Sequence, residues 1–362
     1  MKSGLYFLML FFIIAFGTLH AKSCMNKNDN SFKIIELSNK KGNKIGITNY
    51  GARLVSWYVK DNKNKEQNIV LGFSSQEQYE KAAAPYYGAI VGRYANRIEN
   101  FTLYGKEYHL TDDAYVLHGG KAGFHDKLWT IEVVSDSSVT LSYISKDGDG
   151  GYQGQVTTHV EYILTSQNEL VINYSAATDK PTPINLTNHA FFNLKGAGNG
   201  SILDLSLKVN ADQFTPLQSN GLPTGEIKEV EGSVFDFRNF KKVKSAVKSK
   251  DPQILLAKGL DHNFVNKNTN EPLITAIDPK SGIKMEMTTT MAGVQIYTAN
   301  YLSGKDKNDK GKAFKARESI CFESQFFANS PNHSNFPNTI LKPGETYSHS
   351  TVYKVTTLNS VR

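Results

Sequence analysis

The sequence predicts an all-β fold, an antiparallel sandwich forming one large domain with few short helices. Three observations carry this. Apolar and polar residues alternate with period two in segment after segment, the pattern of a strand with one buried face. Clusters of Gly, Asp, Asn and Pro separate those segments. Long helical patterns between the strands, which a βαβ sheet would require, are absent from the sequence.

Alternation runs through 139–144, 156–164, 170–175 and 203–209. Turn chemistry marks 61–62 (Asp-Asn), 146–151 (Lys-Asp-Gly-Asp-Gly-Gly), 195–200 (Lys-Gly-Ala-Gly-Asn-Gly) and 342–344 (Lys-Pro-Gly). Helical spacing predicts two short helices, 76–84 and 251–258. No shift in composition divides 32–362, and no solenoid or propeller period recurs, so these residues read as a single domain.

Hydrophobic residues make up 40% and charged residues 21% of the 362, values of a globular chain and not of a disordered one. The formal charge is +7. The lysines concentrate in 241–250 and 305–315, interleaved with Ser, Asp, Asn and Gly. Without an arginine or aromatic stripe these runs read as solvated loops, and the sequence predicts no nucleic-acid partner. Cys24 and Cys321 are the only cysteines, which excludes a disulfide framework and zinc-type spacing. Cys321, among apolar neighbours, reads as buried and inert.

Lys2 precedes an apolar run over 5–19, shorter than the about 20 residues of a spanning helix. Residues 1–23 therefore read as a signal peptide. Ala21-Lys22-Ser23-Cys24, followed by a polar tether over 24–31, resembles a lipoprotein processing site. The expectation is an exported protein, periplasmic or attached to a membrane by lipid on Cys24. Lys22 departs from that pattern, so plain cleavage and an uncleaved anchor remain as alternatives.

Chemistry-bearing residues sit in unusual settings. His118 lies in Leu-His-Gly-Gly, His189 in Asn-Leu-Thr-Asn-His-Ala-Phe-Phe-Asn-Leu, and His262 in Leu-Asp-His-Asn-Phe. A polar group packed between apolar ones needs a partner if buried, so each is either a satisfied structural histidine or a site residue. Glu323 stands between Cys-Phe and Ser-Gln-Phe-Phe. An acid in apolar surroundings acquires a raised pKa suited to a general base, although an edge-strand Glu facing water would look the same. Arg93 and Arg97 flank Asn96. Arg and Asn fork-bond vicinal hydroxyls as a sugar site requires, while either arginine could instead brace a loop. Phosphate-loop, dinucleotide, zinc-protease and nucleophile-elbow motifs are missing from the sequence. Lacking any cofactor motif, it points to proton transfer by side chains alone.

In order along the chain, Asn49-Tyr50-Gly51-Ala52, 92–98, 117–120, 185–194, 260–264, 293–298, Glu323-Ser324-Gln325 and Ser330-Pro331-Asn332 resemble the aldose 1-epimerase (galactose mutarotase) family. The resemblance covers 49–353. It implies a large twisted antiparallel β-sandwich, the galactose mutarotase-like supersandwich, with an open sugar cleft and no cofactor. It further implies that His189 protonates the ring oxygen and Glu323 takes the proton of the C1 hydroxyl. Asn96, Arg97, His118, Asp261 and Gln295 would hold the sugar hydroxyls, with Ala190 and Phe191 lining the pocket. The family commonly carries Phe-Pro-Asp where this chain has Phe327-Ala328-Asn329. The lost proline is expected to loosen that loop and the Asn to remove a charge. A non-catalytic carbohydrate-binding protein on the same scaffold is the alternative. The presence of both His189 and Glu323 speaks against it, because a binder needs no acid–base pair.

Overall fold

The computed structural model describes residues 31–111 and 113–358. The signal segment, Cys24 and the tether up to residue 30 lie outside the described residues. A nine-stranded, wholly antiparallel sheet forms the broadest layer. Its central strands are Ser138–Ser145, Val156–Leu164, Glu169–Thr178, Tyr347–Thr357 and Ile283–Thr289. A four-stranded sheet (Ile34–Ser38, Lys44–Thr48, Arg53–Lys60, Glu66–Asn68) and a five-stranded sheet complete the main layers. The five-stranded sheet runs, in spatial order, Lys228–Glu229, Gln213–Thr215, Asp261–Val265, Gly293–Tyr297 and Cys321–Gln325.

One apolar core joins all three. Leu37 and Trp57 enter it from the first sheet, Leu141, Val160 and Ile172 from the nine-stranded sheet, and Phe264, Ile296 and Phe322 from the five-stranded one. Each strand contributes alternate residues: Val156–Leu164 follows a strict buried/less-buried rhythm. This is the period-two pattern made physical. Tyr353 Oη donates to Phe322 O across 2.7 Å, pinning the two larger sheets together at the core.

The helices are short, and both differ slightly from the sequence expectation. The first spans Gln76–Lys81 and opens on a reciprocal Ser75/Gln78 capping box. It stops early because Ala82 turns extended and the Asp306 carboxylate takes the backbone N–H groups of Ala83 and Ala84. Pro85 further disfavours helix at the residue before it. The second spans Pro252–Ala257, capped by Asp251 and closed by Lys258 in the left-handed region. The strand expected over 203–209 begins at Ser206, because Leu205 N–H closes a turn on Ile202 O at 3.0 Å. The lysine runs are not plain loops. Lys241–Lys242 is an edge strand followed by a helix, Val243–Val247, that buries Val243 and Ala246. The second run forms a hairpin of Ser303–Lys307 with Ala313–Lys315.

Candidate active site

Three adjacent strands of the five-stranded sheet build the floor of a cleft. Their register aligns Asp261, Tyr297 and Cys321 in one row and Asn263, Gln295 and Glu323 in the next. Directly paired residues share a face, and their neighbours along the strand point the other way. His262, Phe264, Val294, Ile296, Phe322 and Ser324 thus belong to the opposite face. Parity alone removes His262 from the site. It is fully buried against Phe235, with Nδ1 accepting from Asp261 N–H at 3.2 Å and Nε2 3.2 Å from Gln253 Oε1.

His189 arrives on a different segment. Residues 185–194 run extended across the cleft wall, with Thr187–Asn188 paired to Ile90–Val91. His189 N–H bonds Ala89 O, and Gly88 N–H bonds His189 O. The asparagines of this segment brace backbone: Asn188 Nδ2 donates to Gly88 O at 2.8 Å, and Asn193 Nδ2 to Gly200 O and Glu318 O. Gly88 is required there, since its φ is +68° and a Cβ would lie 2.0 Å from Leu54 O. The result sets His189 Nε2 3.5 Å from Glu323 Oε1. Tyr86 stacks on the imidazole at 5.7 Å, while Phe191 and Tyr297 pack against it at 4.8 and 6.2 Å.

Asn96, Arg97 and His118 close the far wall. Asn96 and His118 both hold positive φ, 66° and 53°, a conformation Asn and His tolerate better than most residues. They lock each other: His118 N–H bonds Asn96 O at 3.0 Å, and Asn96 N–H donates to His118 Nδ1 at 3.1 Å. A ring that accepts at Nδ1 carries its proton on Nε2 when neutral. Arg97 reaches Asp261 at 3.8 Å, and Gln295 Nε2 donates to Asp261 Oδ1 at 2.7 Å.

The cavity encloses about 240 Å³, with the His189–Glu323 pair buried in its wall and half-exposed Tyr301 among the residues lining it. Burial pushes the Glu323 carboxyl well above the usual range; Asp261 adds to this and Arg97 opposes it. Burial pushes the His189 imidazole down to about 4, and it likewise lowers His118. Among the described residues, Glu323 Oε2 and Arg97 Nε are buried without a hydrogen-bond partner, an arrangement expected where a polar ligand completes the bonding. His118, His189 and Glu323 bring donor atoms within 4.8 Å of one another, a metal-like grouping. The fit to a metal is poor: the Asn96 amide occupies His118 Nδ1 and thereby leaves a proton, not a lone pair, on Nε2.

The structure thus brings His189, Glu323, Asn96, Arg97, His118, Phe191, Asp261 and Gln295 to one cavity. Ala190 does not join them. Its side chain is buried in the main core, because alternate residues of an extended segment point oppositely and His189 and Phe191 take the cleft side. Arg93 is a brace: its guanidinium donates to the carbonyls of Gly154 and Lys146 at 2.8 and 3.0 Å and to Ser145 Oγ at 2.6 Å. Sequence reasoning missed Tyr86, Tyr301, Leu302 and the 83–85 wall. Nothing in the local pattern marks them, since the Asp306 contact that positions the wall comes from a remote hairpin.

A model of the aldose 1-epimerase family matches residues 33–354. Galactose mutarotase of Bos taurus is 40% identical over 317 residues, covering 86% of this chain and 90% of that protein. Aldose 1-epimerase of Haemophilus influenzae is 35% identical over 331 residues, covering 89% and 95%. A crystal structure of an aldose epimerase homologue from C. elegans superposes with a TM-score of 0.84 at 31% identity, covering 91% of this chain and all of that one.

Proposed function

The chain belongs to the aldose 1-epimerase family and is an isomerase, and on that premise we propose that it interconverts the α and β anomers of free aldoses such as glucose and galactose by general acid–base ring opening and reclosure. The single observation that supports this best is the buried His189–Glu323 contact. Mutarotation acts on two oxygens attached to one carbon. The C1 hydroxyl must lose a proton while the ring oxygen gains one, so an acid and a base must converge on one point.

The pair shares one mobile proton. Burial favours the neutral arrangement in the absence of sugar; the form that reacts, with the ring closed, carries the proton on the imidazole, and Glu323 is a carboxylate. Glu323 takes the proton of the C1 hydroxyl, the C1–O5 electrons move to O5, and His189 Nε2 delivers its proton there. The pair is now a neutral imidazole and a protonated carboxyl, and the sugar is an open aldehyde. Rotation about C1–C2 presents the other carbonyl face, and the reverse transfers close the ring. Burial destabilises the charged arrangement while the short separation stabilises it. These opposing effects keep the two arrangements within reach of each other. A well-placed acid or base contributes about 10²–10⁴-fold each. Asn96, Arg97, His118, Asp261 and Gln295 hold the hydroxyls so that C1 meets the pair.

Polarimetry on freshly dissolved α-glucose and α-galactose tests the reading. Purified protein is expected to accelerate the change in rotation. No acceleration with either sugar would favour the carbohydrate-binding alternative. We also propose export by the apolar run over 5–19, with lipid on Cys24. Mass spectrometry of the mature N-terminus tests it, and a free, unmodified terminus would remove the lipid.

A further inference from the structure

The two histidines of the cleft are wired differently at Nδ1. His118 accepts there from a backbone amide, so its proton stays on Nε2. Such a ring can donate to a hydroxyl, but cannot give that proton away without becoming an imidazolate. His189 has a different neighbour: Cys321 Sγ, 3.7 Å from Nδ1. An imidazolium that surrenders its Nε2 proton must keep a proton on Nδ1, and that N–H needs an acceptor. Sulfur is a weak acceptor.

The geometry points to Cys321 as a positioning residue of the acid–base pair: its sulfur accepts the Nδ1–H of His189 and so assigns Nε2 as the nitrogen that loses and regains the proton. This rests on the mutarotase reading of the site. The strand carries Cys321 two residues before Glu323 on the same face, so one strand supplies both the base and the acceptor behind the acid. In each turnover the Nε2–H bond breaks as the O5–H bond forms, while the Nδ1–H bond to sulfur persists. A carboxylate in the place of sulfur would hold the imidazolium more tightly and make it a poorer acid. The thiol itself stays protonated. Burial raises it well above the ordinary thiol value, and Glu323 and Asp261 add to the effect. A neutral sulfur, not a thiolate charge, therefore faces the ring.

The test compares Cys321→Ser and Cys321→Ala in the full protein. Readouts are the pH profile of kcat/KM on α-galactose and the ¹⁵N shifts of selectively labelled histidines without sugar. Oxygen accepts more strongly than sulfur, so Cys321→Ser is expected to stabilise the imidazolium. Its alkaline limb should then move up by about half a pH unit or more, with a changed His189 Nδ1 shift. Cys321→Ala should move that limb down and lower kcat with little change in KM. A merely structural role would lower the active fraction and leave both limbs in place. Profiles that superimpose on the parent protein, with an unchanged Nδ1 shift in both variants, would overturn the proposal. If the parent protein itself failed to accelerate mutarotation, the functional reading would fail instead, and the Nδ1 shifts alone would still judge the sulfur contact.

Discussion

Asn329 Nδ2 donates to Glu99 Oε2 across 2.7 Å, and Asn329 Oδ1 accepts the Glu99 backbone N–H at 3.0 Å. This reciprocal pair joins the loop after the Glu323 strand to the loop after Arg97. Asn329 N–H also bonds Arg97 O at 2.8 Å. The loop is not slack without its proline: Phe327 O accepts from Tyr94 Oη and Ser330 Oγ at 3.1 and 2.8 Å. Replacing Asn329 by Asp would exchange the donor for a second carboxylate beside Glu99. Asn329→Asp should cost about 1–3 kcal/mol at neutral pH, read as a lower midpoint in chemical denaturation. An unchanged or higher midpoint would contradict this account of the Asn.

Asp261 is held by Gln295 and faces Arg97, and in the proposed function it accepts a sugar hydroxyl. Asp261→Ala removes a charged hydrogen-bonding partner, a change expected to be worth about 1.5–3 kcal/mol. It should lower kcat/KM about ten- to hundredfold, chiefly through KM. Steady-state polarimetry checks this, and a loss confined to kcat would place Asp261 in the chemistry instead.

Stability should carry a histidine signature. Burial lowers His262 to about 3 and His125 to about 4. Each folded-state value lies below the ordinary 6.5, so the unfolded chain binds more protons in between. Stability is therefore full above the ordinary value and is lost as pH falls from about 6.5 toward 3 to 4. Denaturation midpoints across that window should fall with pH. The fall should be shallower in His262→Gln, and an equally steep fall would remove His262 from the explanation.

Strand identity was readable because the sandwich buries one face of each strand, and 156–164 shows its alternation without interruption. The same periodicity separates Gln295 and Glu323 from His262 once register is known. Register, however, is a long-range property that no local segment encodes. His262 and His118 therefore look equally functional in the sequence, and only the structure puts one in the core and the other in the cleft. Ala190 failed for a related reason: adjacency to His189 in an extended chain means the opposite face. Tyr86 and the 83–85 wall were illegible because Asp306, far along the chain, decides where that wall stands.

The shared proton of the proposed mechanism predicts a bell-shaped kcat/KM profile. At low pH a second proton enters the pair and silences the Glu323 carboxylate. At high pH the last one leaves, and His189 has nothing to deliver. Both limbs belong to the pair and not to one residue. A flat profile through neutrality, with ring opening shown to limit the rate, would deny that the pair acts as a unit.

The most direct measurement is the mutarotation rate of α-galactose with Glu323→Gln and His189→Ala, each shown to be folded by circular dichroism. Glu323→Gln keeps the shape of the side chain and removes its basicity. Both variants are expected to lose at least about a hundredfold in kcat. A Glu323→Gln enzyme as fast as the parent would show that this carboxylate is not the base, and the mechanism built on its contact with His189 would fall.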